Sequence, residues 1–334
     1  MPRPGLSPLR RLLRRPELGA AAGVVLVWVF FAIVAGDRGF LGWRATASYL
    51  EVASELGIVA IAVALLMIAG EFDLSVGSVM GFAGMTVALL TSEAGLPIAP
   101  AIAVAFVLSI ALGAANGWLV VRTQLPSFMV TLASMFVIRG VTIGVTRAWT
   151  GRTQIGGLGD ASGHGFAHAW LASDVGGLPG SVLWWLALVA AATWLLLRTP
   201  AGNWIYACGG GADAARNLGV PVARVKILLF ATTAAAACFV GVMQAVKFGG
   251  ADTLRGEMQE FRAIVAVVIG GTLMTGGYGS AVGAALGALM FGMVRQGIVL
   301  TGVDADWFQV FLGAMLLTAV LFNDFLRQRA TSRD

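Results

Sequence analysis

Ten long apolar segments, separated by short polar breaks, constrain the fold of this chain more than any other feature. They lie near residues 19–36, 53–70, 74–92, 98–121, 126–146, 181–198, 225–247, 262–275, 280–301 and 307–326. Several approach 20 residues, the length at which an α-helix crosses roughly 30 Å of hydrocarbon. Only 12% of the 334 residues are charged, too few to keep a soluble domain dispersed. The sequence therefore predicts an all-α, polytopic helical membrane protein of about ten transmembrane helices, some of them broken or half-length.

The apolar segments divide the chain into one transmembrane domain, 19–326, between a basic N-terminal segment, 1–18, and a short tail, 327–334. Five arginines precede the first apolar segment, as in a signal peptide. Because no small-residue cleavage site followed by a polar mature domain is present, we expect the first helix to be retained. The eighth segment is short and ends in TLMTGGYGS, which favours a broken helix.

The distribution of basic residues predicts that both ends of the chain face the cytoplasm. An even number of spans places both ends on one side, and the inner side of a membrane protein collects lysine and arginine. With the ends inside, the inner segments hold thirteen basic residues: Arg3, Arg10, Arg11, Arg14, Arg15, Arg122, Arg198, Arg216, Arg224, Lys226, Arg327, Arg329 and Arg333. The outer segments hold eight: Arg38, Arg44, Arg139, Arg147, Arg152, Lys247, Arg255 and Arg262. The spread of these residues over loops and termini does not indicate a nucleic-acid partner.

A polar break at residues 69–84, AGEFDLSVGSVMGFAG, places the carboxylates Glu71 and Asp73 between two apolar segments. Ionised carboxylates in hydrocarbon are costly, so these must face water, protein or a membrane boundary. The small residues nearby allow close helix approach: Gly70, Ser75, Gly77 and Ser78. We interpret Asp73 as an N-cap of the next helix, with a gating role as the alternative. Apart from Glu71, Asp73 and Arg295, the spans are expected to be nearly charge-free.

A weak internal repeat suggests that the chain contains two related halves. At an offset of 206 residues, Ile58-Val59-Ala60 matches Ile264-Val265-Ala266, and seven of the 24 positions from 58 to 81 are identical. The offset also aligns Gly70 with Gly276, in a second glycine-rich break. Transporters often contain such repeats. We group three glycines of the second break with the first as gating or structural residues: Gly276, Gly277 and Gly279.

The inner loop, 199–224, contains a predicted short surface helix. Asp213 suits an N-cap, Gly219 suits the C′ position and Pro221 prevents continuation. The helix is either an ordinary connection or a docking element for a cytoplasmic partner. Its docking candidates are Asp213, Ala214, Ala215, Arg216, Asn217, Leu218 and Gly219. We place Cys208 in this loop and Cys238 in an apolar helix, and expect two free thiols.

Four ordered blocks of sequence resemble a known family. They are AGEFDLSVGS at 69–78, LPSFMVTLASMFVIRG at 125–140, GNWIYACGG at 202–210 and AIVAVVIGGTLMTGGYGS at 263–280. Together they are similar to the membrane permease subunits of bacterial ABC importers for monosaccharides, the ribose, xylose and fructose type, from about residue 45 to 326. Residues 213–219, DAARNLG, also resemble the EAAxxxG docking motif of such permeases, with aspartate in place of glutamate.

The resemblance implies an inner-membrane permease with several partners. These are two cytoplasmic ATPase subunits, a periplasmic sugar-binding protein, a second permease copy and the lipid bilayer. ATP and Mg would bind to the ATPase, and this chain would bind no cofactor of its own. Related permeases carry branched-chain amino acids, nucleosides or signalling sugars, so the exact cargo stays open. Glu71 stands where the family commonly has a second glycine.

Scattered hydroxyl and amide side chains are candidates for a weakly binding pathway. They are Asn116, Gln124, Ser127, Thr131, Ser134, Gln244 and Gln296. Each is equally suited to hydrogen bonds between helices. For Arg139 and Arg295 we expect pairing with acids or anchoring at the membrane surface rather than contact with the sugar.

The outer loop, 148–180, carries His164 and His168 at the spacing of one helix turn. We predict no metal site, because Gly163 and Gly165 argue against a helix and a third ligand is missing. The loop is expected to contact the binding protein instead.

Two other classes remain as alternatives. GLGD at 157–160 fits the GxGD pattern of membrane aspartyl proteases, but Asp160 lacks a partner aspartate in a span. An ion-coupled secondary transporter or a channel would need ionisable sites near mid-membrane. The chain has no GxxxxGK[ST] motif, so ATP would act through another subunit. We therefore expect a transport subunit that is not itself an enzyme.

Overall fold

The structure is a computed structural model that describes residues 16–304 and 307–318. Its helices, numbered in chain order, are α1 Pro16–Ala35, α2 Trp43–Ile68, α3 Val76–Ala88, α4 Ile98–Thr123, α5 Ser127–Thr150, α6 His164–Leu171, α7 Gly180–Arg198, α8 Pro200–Asn217, α9 Val222–Phe248, α10 Gln259–Ile269, α11 Ala281–Thr301 and α12 Phe308–Thr318. π-Helical turns extend α1 through Gly36–Phe40 and α3 through Leu89–Glu93. The predicted all-α architecture is confirmed.

Eight helices in the described ranges are long and apolar enough to cross a membrane: α1 to α5, α7, α9 and α11. They correspond to the first seven predicted segments and the ninth. The eighth segment is α10, which has only 11 residues, so the predicted half-length helix is confirmed. The tenth is described only as α12. Residues 1–15 and 319–334, with the predicted basic segment and tail, lie outside the described residues.

The second helix begins earlier than the sequence predicted. It starts at Trp43 rather than near residue 53, because the additional turns contain Glu51 and so interrupt the apolar pattern; Glu55 already lay within the predicted segment. Both glutamates therefore lie within a helix of membrane length. The prediction that the spans are nearly charge-free is wrong, and α9 adds Lys226 and Lys247.

Prolines mark the starts of several helices. Pro97, Pro126, Pro179 and Pro221 occupy the residue before α4, α5, α7 and α9. A proline has no N–H to donate and cannot continue a preceding helix, so it fits these positions. The short loops between successive helices follow directly from this pattern.

Helices α2, α9 and α11 form the buried centre of the bundle. Helix α9 packs along α3 and α4, and α11 packs along α1 and α2. Glycines allow the close approach. A Cβ added at Gly113 of α4 would lie 2.4 Å from the Phe230 carbonyl oxygen of α9, and one at Gly292 of α11 would lie 2.3 Å from that of Tyr49. Apolar side chains exposed on α1, α4, α5 and α7 form a surface suited to lipid.

The connections at one end of the bundle, here called the loop end, carry the short strands. Strands β1 Gln154–Ile155 and β4 Ala251–Asp252 pair antiparallel and join the connection after α5 to that after α9. Strands β2 Asp174–Val175 and β3 Leu178–Pro179 form a hairpin. Its turn is Gly176-Gly177, whose positive φ angles of 61° and 80° suit a two-residue hairpin.

Helix α6 also lies in this region and corrects one prediction. Gly163 and Gly165 do not prevent a helix, since Gly163 takes the N-cap position with φ 83°. His164 and His168 share one face, with ring centroids 5.8 Å apart. His164 Nε2 lies 3.1 Å from the Val246 carbonyl oxygen of α9. His164 therefore packs against α9, with His168 beside it.

Two breaks interrupt the bundle, at residues 69–75 between α2 and α3 and at 270–280 between α10 and α11. The repeat identified in the sequence aligns these two helix–break–helix units. Gly70 and Gly276, which the repeat matches, both have positive φ angles, 84° and 80°. Glycine is favoured at such angles.

Candidate functional site

Helix α8 is longer than the sequence predicted. It begins after Thr199, whose side chain accepts a hydrogen bond from Gly202 N at 3.3 Å, and it kinks at Gly211. Gly211, with φ 169° and ψ 93°, is not helical, so α8 consists of two parts, and the predicted short helix is the second part, 212–217. Asp213 lies inside this part and is not the N-cap that was predicted. Asp213 instead pairs with Arg216 at 2.9 Å. Cys208, predicted in a loop, is buried within this helix, and both Cys208 and Cys238 are free.

The C-terminus of α8 has the geometry predicted for Gly219. Gly219 has a φ of 86°, and its N–H donates to the Arg216 carbonyl oxygen. The Val220 N–H donates to the Ala215 carbonyl oxygen, which completes a Schellman motif. Pro221 then begins α9. The end of α8 is therefore fixed by main-chain hydrogen bonds.

The predicted docking residues divide into an exposed set and one buried residue. Asp213, Ala214, Arg216, Asn217, Leu218 and Gly219 are exposed. Leu218 is 86% exposed although it is apolar. Ala215 is only 3% exposed and packs in the core, so it cannot belong to a docking surface.

Helix α8 contacts both helix breaks at Gly209. A Cβ added there would lie 1.8 Å from the Ile68 carbonyl oxygen and 2.4 Å from Gly277 N. The two breaks also touch directly. Gly277 N donates to the Ile68 carbonyl oxygen at 2.8 Å, and a Cβ on Gly276 would lie 2.8 Å from the Gly70 Cα. Three segments distant in sequence thus meet through their main chains, a contact here called the glycine joint: Gly70, Gly209, Gly276 and Gly277.

Two further contacts flank the glycine joint. The Tyr206 hydroxyl of α8 donates to the Gly279 carbonyl oxygen at 2.9 Å. Glu71, in the first break, forms an ion pair with Lys226, in the first turn of α9. Their side chains are only 10% and 18% exposed. The sequence reasoning missed this partner, although Lys226 lay within the seventh predicted span and could have been matched to Glu71.

Asp73 stabilises the start of α3 through hydrogen bonds but does not occupy its N-cap position. Ser75 occupies the N-cap position. The Asp73 carboxylate accepts hydrogen bonds from Ser75 N at 2.9 Å and Ser75 Oγ at 2.6 Å, and another from Thr233 Oγ1 of α9 at 2.6 Å. The Asn116 amide of α4 donates to Ser75 Oγ at 3.0 Å. Asp73 thus ties the first break to α9.

Other predicted site residues support the same break. Phe72 N donates to Ser127 Oγ and Leu74 N to Thr131 Oγ1, both at 3.0 Å. Asn116, Ser127 and Thr131 therefore make the interhelical bonds that were the alternative to lining a pathway. Gln124 is exposed at the end of α4, where its side chain donates to the Val121 carbonyl oxygen. Ser134 is half-buried on α5.

Gly77 and Ser78 position α3 against its neighbours. A Cβ on Gly77 would lie 2.1 Å from Glu260 Oε2 of α10 and 2.3 Å from the Gly256 carbonyl oxygen. Ser78 Oγ donates to the Met135 carbonyl oxygen of α5 at 2.9 Å. Both residues have a packing role in the structure.

The remaining predicted pathway residues, Gln244 and Gln296, lie toward the loop end. Gln244 Nε2 of α9 donates to Glu55 Oε2 of α2 at 2.7 Å, and Ser48 Oγ of α2 donates to Gln296 Oε1 of α11 at 3.0 Å. One turn nearer the loop end, Lys247 forms an ion pair with Glu51. Lys247 lay within the seventh predicted span, but the sequence reasoning did not pair it with Glu51.

The two arginines assigned to the spans differ in their surroundings. Arg139 lies 3.7 Å from Glu257, so its predicted pairing is confirmed. Arg295 is exposed on α11. Asp160, which the protease alternative required within the membrane, is exposed in the turn Leu158–Asp160 of the loop end. The geometry therefore offers no support for that alternative.

The bundle of membrane-length helices, with two broken helices that touch each other, defines a multi-pass membrane protein of the kind found among transporters. Residues 45–320 match the family described as branched-chain amino acid transport system / permease component, and the chain belongs to this family.

Curated relatives cover nearly the whole chain. The xylose transport system permease protein of Escherichia coli (strain K12) is 30% identical over 92% of this chain and 92% of its own length. The ribose import permease protein of the same strain is 30% identical over 94% of this chain and 97% of its own. A probable ABC transporter permease protein of Sinorhizobium fredii is 32% identical over 94% and 91%. No solved structure gives a significant match. The resemblance identified from the sequence is confirmed.

Proposed function

We propose that this chain is the membrane permease subunit of an ATP-driven, binding-protein-dependent importer of a monosaccharide. The similarity to permeases named for xylose and ribose, over more than nine-tenths of the chain, is the observation that carries the proposal. The family also includes permeases for other small solutes, and its description names branched-chain amino acids. The half-buried polar residues between α2 and α9 favour a polyhydroxylated cargo over an apolar one.

The position of α8 supports coupling to a separate ATPase. Its exposed residues, Asp213 to Gly219 with Ala215 excepted, would dock to the ATPase on the cytoplasmic side. Its half-buried residue Gly209 contacts both helix breaks. Gly211, which is not helical, lies between this surface and Gly209, so a displacement of the docking end would reach the glycine joint across one glycine hinge.

The similarity to permeases of ABC transport systems supports the rest of the proposed assembly. ATP and Mg would bind to the ATPase subunits, and this chain would supply the route through the membrane. The periplasmic binding protein would approach the loop end, and a second permease copy would complete the complex. Both chain ends would then face the cytoplasm, in the inner membrane.

Reconstituted uptake tests the proposal. Proteoliposomes holding the permease, its ATPase and its binding protein are expected to take up a pentose or hexose only with ATP on the ATPase side. Uptake should persist when proton and sodium gradients are collapsed. Uptake by the permease alone, driven by a gradient, would show instead an ion-coupled secondary transporter.

Leu218 provides a specific test of docking. Because its side chain is 86% exposed, the substitution Leu218→Glu should leave the fold unchanged while it introduces a charge into an apolar contact. We expect roughly tenfold lower uptake and weaker association with the ATPase, the effect of losing one well-packed apolar contact of about 1.5 kcal/mol or more. Co-purification and uptake by the complex measure both quantities.

The matched control is Leu218→Met, which keeps an apolar side chain of similar volume and should retain association and uptake. Normal association and uptake in Leu218→Glu would show that the C-terminal end of α8 is not the docking surface.

A further inference from the structure

Charged and amide side chains cluster between α2 and α9 near the loop end. The α2–α9 polar cluster consists of Glu51 and Glu55 on α2 and Gln244 and Lys247 on α9. Glu51 pairs with Lys247, and Gln244 Nε2 donates to Glu55 Oε2 at 2.7 Å. The glutamates are four residues apart, so they share one face of α2. Four polar side chains thus face each other within helices of membrane length.

The cluster is partly exposed at the surface of the chain. The side chains of Lys247 and Glu51 are 26% and 29% exposed, and both Glu55 and Gln244 are half-buried. Gln244 lies four residues before the end of α9 at Phe248, which is about 6 Å along the helix axis. A solute arriving at the loop end would therefore meet these groups about one helical turn below the entrance.

The cluster retains unused hydrogen-bonding capacity. The recorded contacts in the described part of the chain use one oxygen of each glutamate and one proton of the lysine. The carboxylates only accept hydrogen bonds, the ammonium group only donates, and the Gln244 amide does both. The cluster therefore presents acceptors and donors side by side.

Arg255 adds a spare donor beside the cluster. Its guanidinium lies over the Phe248 ring, 4.7 Å from the centroid, and interacts electrostatically with Glu55. Its Nη1 atom is buried without a hydrogen-bond partner in the described residues. Buried polar atoms are normally hydrogen-bonded, so this atom is suited to an incoming acceptor.

We propose that the α2–α9 polar cluster, with Arg255, is a transit site that contacts the hydroxyl groups of the monosaccharide as it enters from the loop end. Each sugar hydroxyl both donates and accepts, and so matches the adjacent carboxylates and cations. The cluster's groups already bond to one another, so a solute must displace those bonds. Such a site binds weakly, which permits onward movement. This inference rests on the proposed function.

The ratio of sugar moved to ATP hydrolysed tests this role in proteoliposomes that contain the full complex. Glu55→Gln is nearly isosteric and removes only the charge. We expect it to lower the ratio about tenfold, the effect of losing one hydrogen bond to a charged group, while ATP hydrolysis stimulated by the loaded binding protein stays within about twofold. Gln244→Leu should do the same. Thermal unfolding checks that each variant is folded.

Glu93→Gln is the matched control. Glu93 is also a carboxylate at the loop end, but it pairs with the exposed Arg152 at 3.0 Å, outside the cluster. It should leave the ratio unchanged. If Glu55→Gln and Gln244→Leu keep the wild-type ratio, or if uptake and ATP hydrolysis fall together, the transit site is refuted. If the wild-type complex moves none of a panel of pentoses and hexoses, the proposed function fails, and the transit site with it.

Discussion

Replacing Gly209 by alanine is expected to abolish transport. The added Cβ would lie 1.8 Å from the Ile68 carbonyl oxygen and 2.4 Å from Gly277 N, and neither main-chain atom can move without displacing a helix break. Overpacking of this kind destabilises by about 3 kcal/mol. If the conformation needed for transport is destabilised by this amount relative to the resting one, the transport rate decreases roughly 100-fold. Uptake by the reconstituted complex measures the effect, and thermal unfolding measures the accompanying loss of stability.

Gly210 provides a control in the next position of the same helix. A Cβ at Gly210 would meet no atom within 4 Å, and the residue is exposed. Gly210→Ala should therefore retain uptake and stability. Equal behaviour of the Gly209 and Gly210 variants would mean that α8 does not contact the breaks as described.

The substitution Lys226→Met is expected to destabilise the protein strongly. Glu71 is only 10% exposed on its side chain, and the variant would leave its carboxylate without the ammonium group. Removing one partner from a buried ion pair costs about 3–5 kcal/mol, because the remaining charge stays uncompensated. Thermal unfolding of the purified protein in detergent should show a clearly lower midpoint, and Glu71→Gln should show a decrease of the same sign.

The double variant Glu71→Gln with Lys226→Met tests whether the lost stability comes from the unpaired charge. It leaves no unpaired charge, so most of the lost stability should return. Arg152→Gln, which breaks the exposed pair with Glu93, serves as a further control and should cost about 1 kcal/mol or less. A double variant less stable than both single variants would contradict a simple ion pair.

The helices could be predicted from the sequence because apolar length and proline position act locally. The predicted starts near residues 98, 126 and 181 agree with helices that begin at Ile98, Ser127 and Gly180. The prediction failed where a tertiary contact overrode the local pattern. The start of α2 was misplaced because the charged Glu51 does not belong to an apolar segment, whereas Lys247 of α9 pairs with it inside a helix.

The candidate site was likewise predicted only where a local sequence rule applied. The end of α8 at Gly219 follows from a local rule, and it was correct. The beginning at Thr199 was missed because the prediction placed the start of the helix at Asp213, beyond the three successive glycines Gly209 to Gly211. The contact of Gly209 with the two breaks joins segments distant in sequence, and glycine carries no side-chain signal that could reveal such a partner.

The glycine joint has a consequence for how such a protein can change its cargo. Its atoms belong to the polypeptide chain itself, with the Gly277 amide bonded to the Ile68 carbonyl. Substitutions in the walls of the route, such as those around Glu55, leave these atoms untouched. The same coupling through α8 could therefore serve permeases for many different solutes, provided that the four positions of the glycine joint remain glycine.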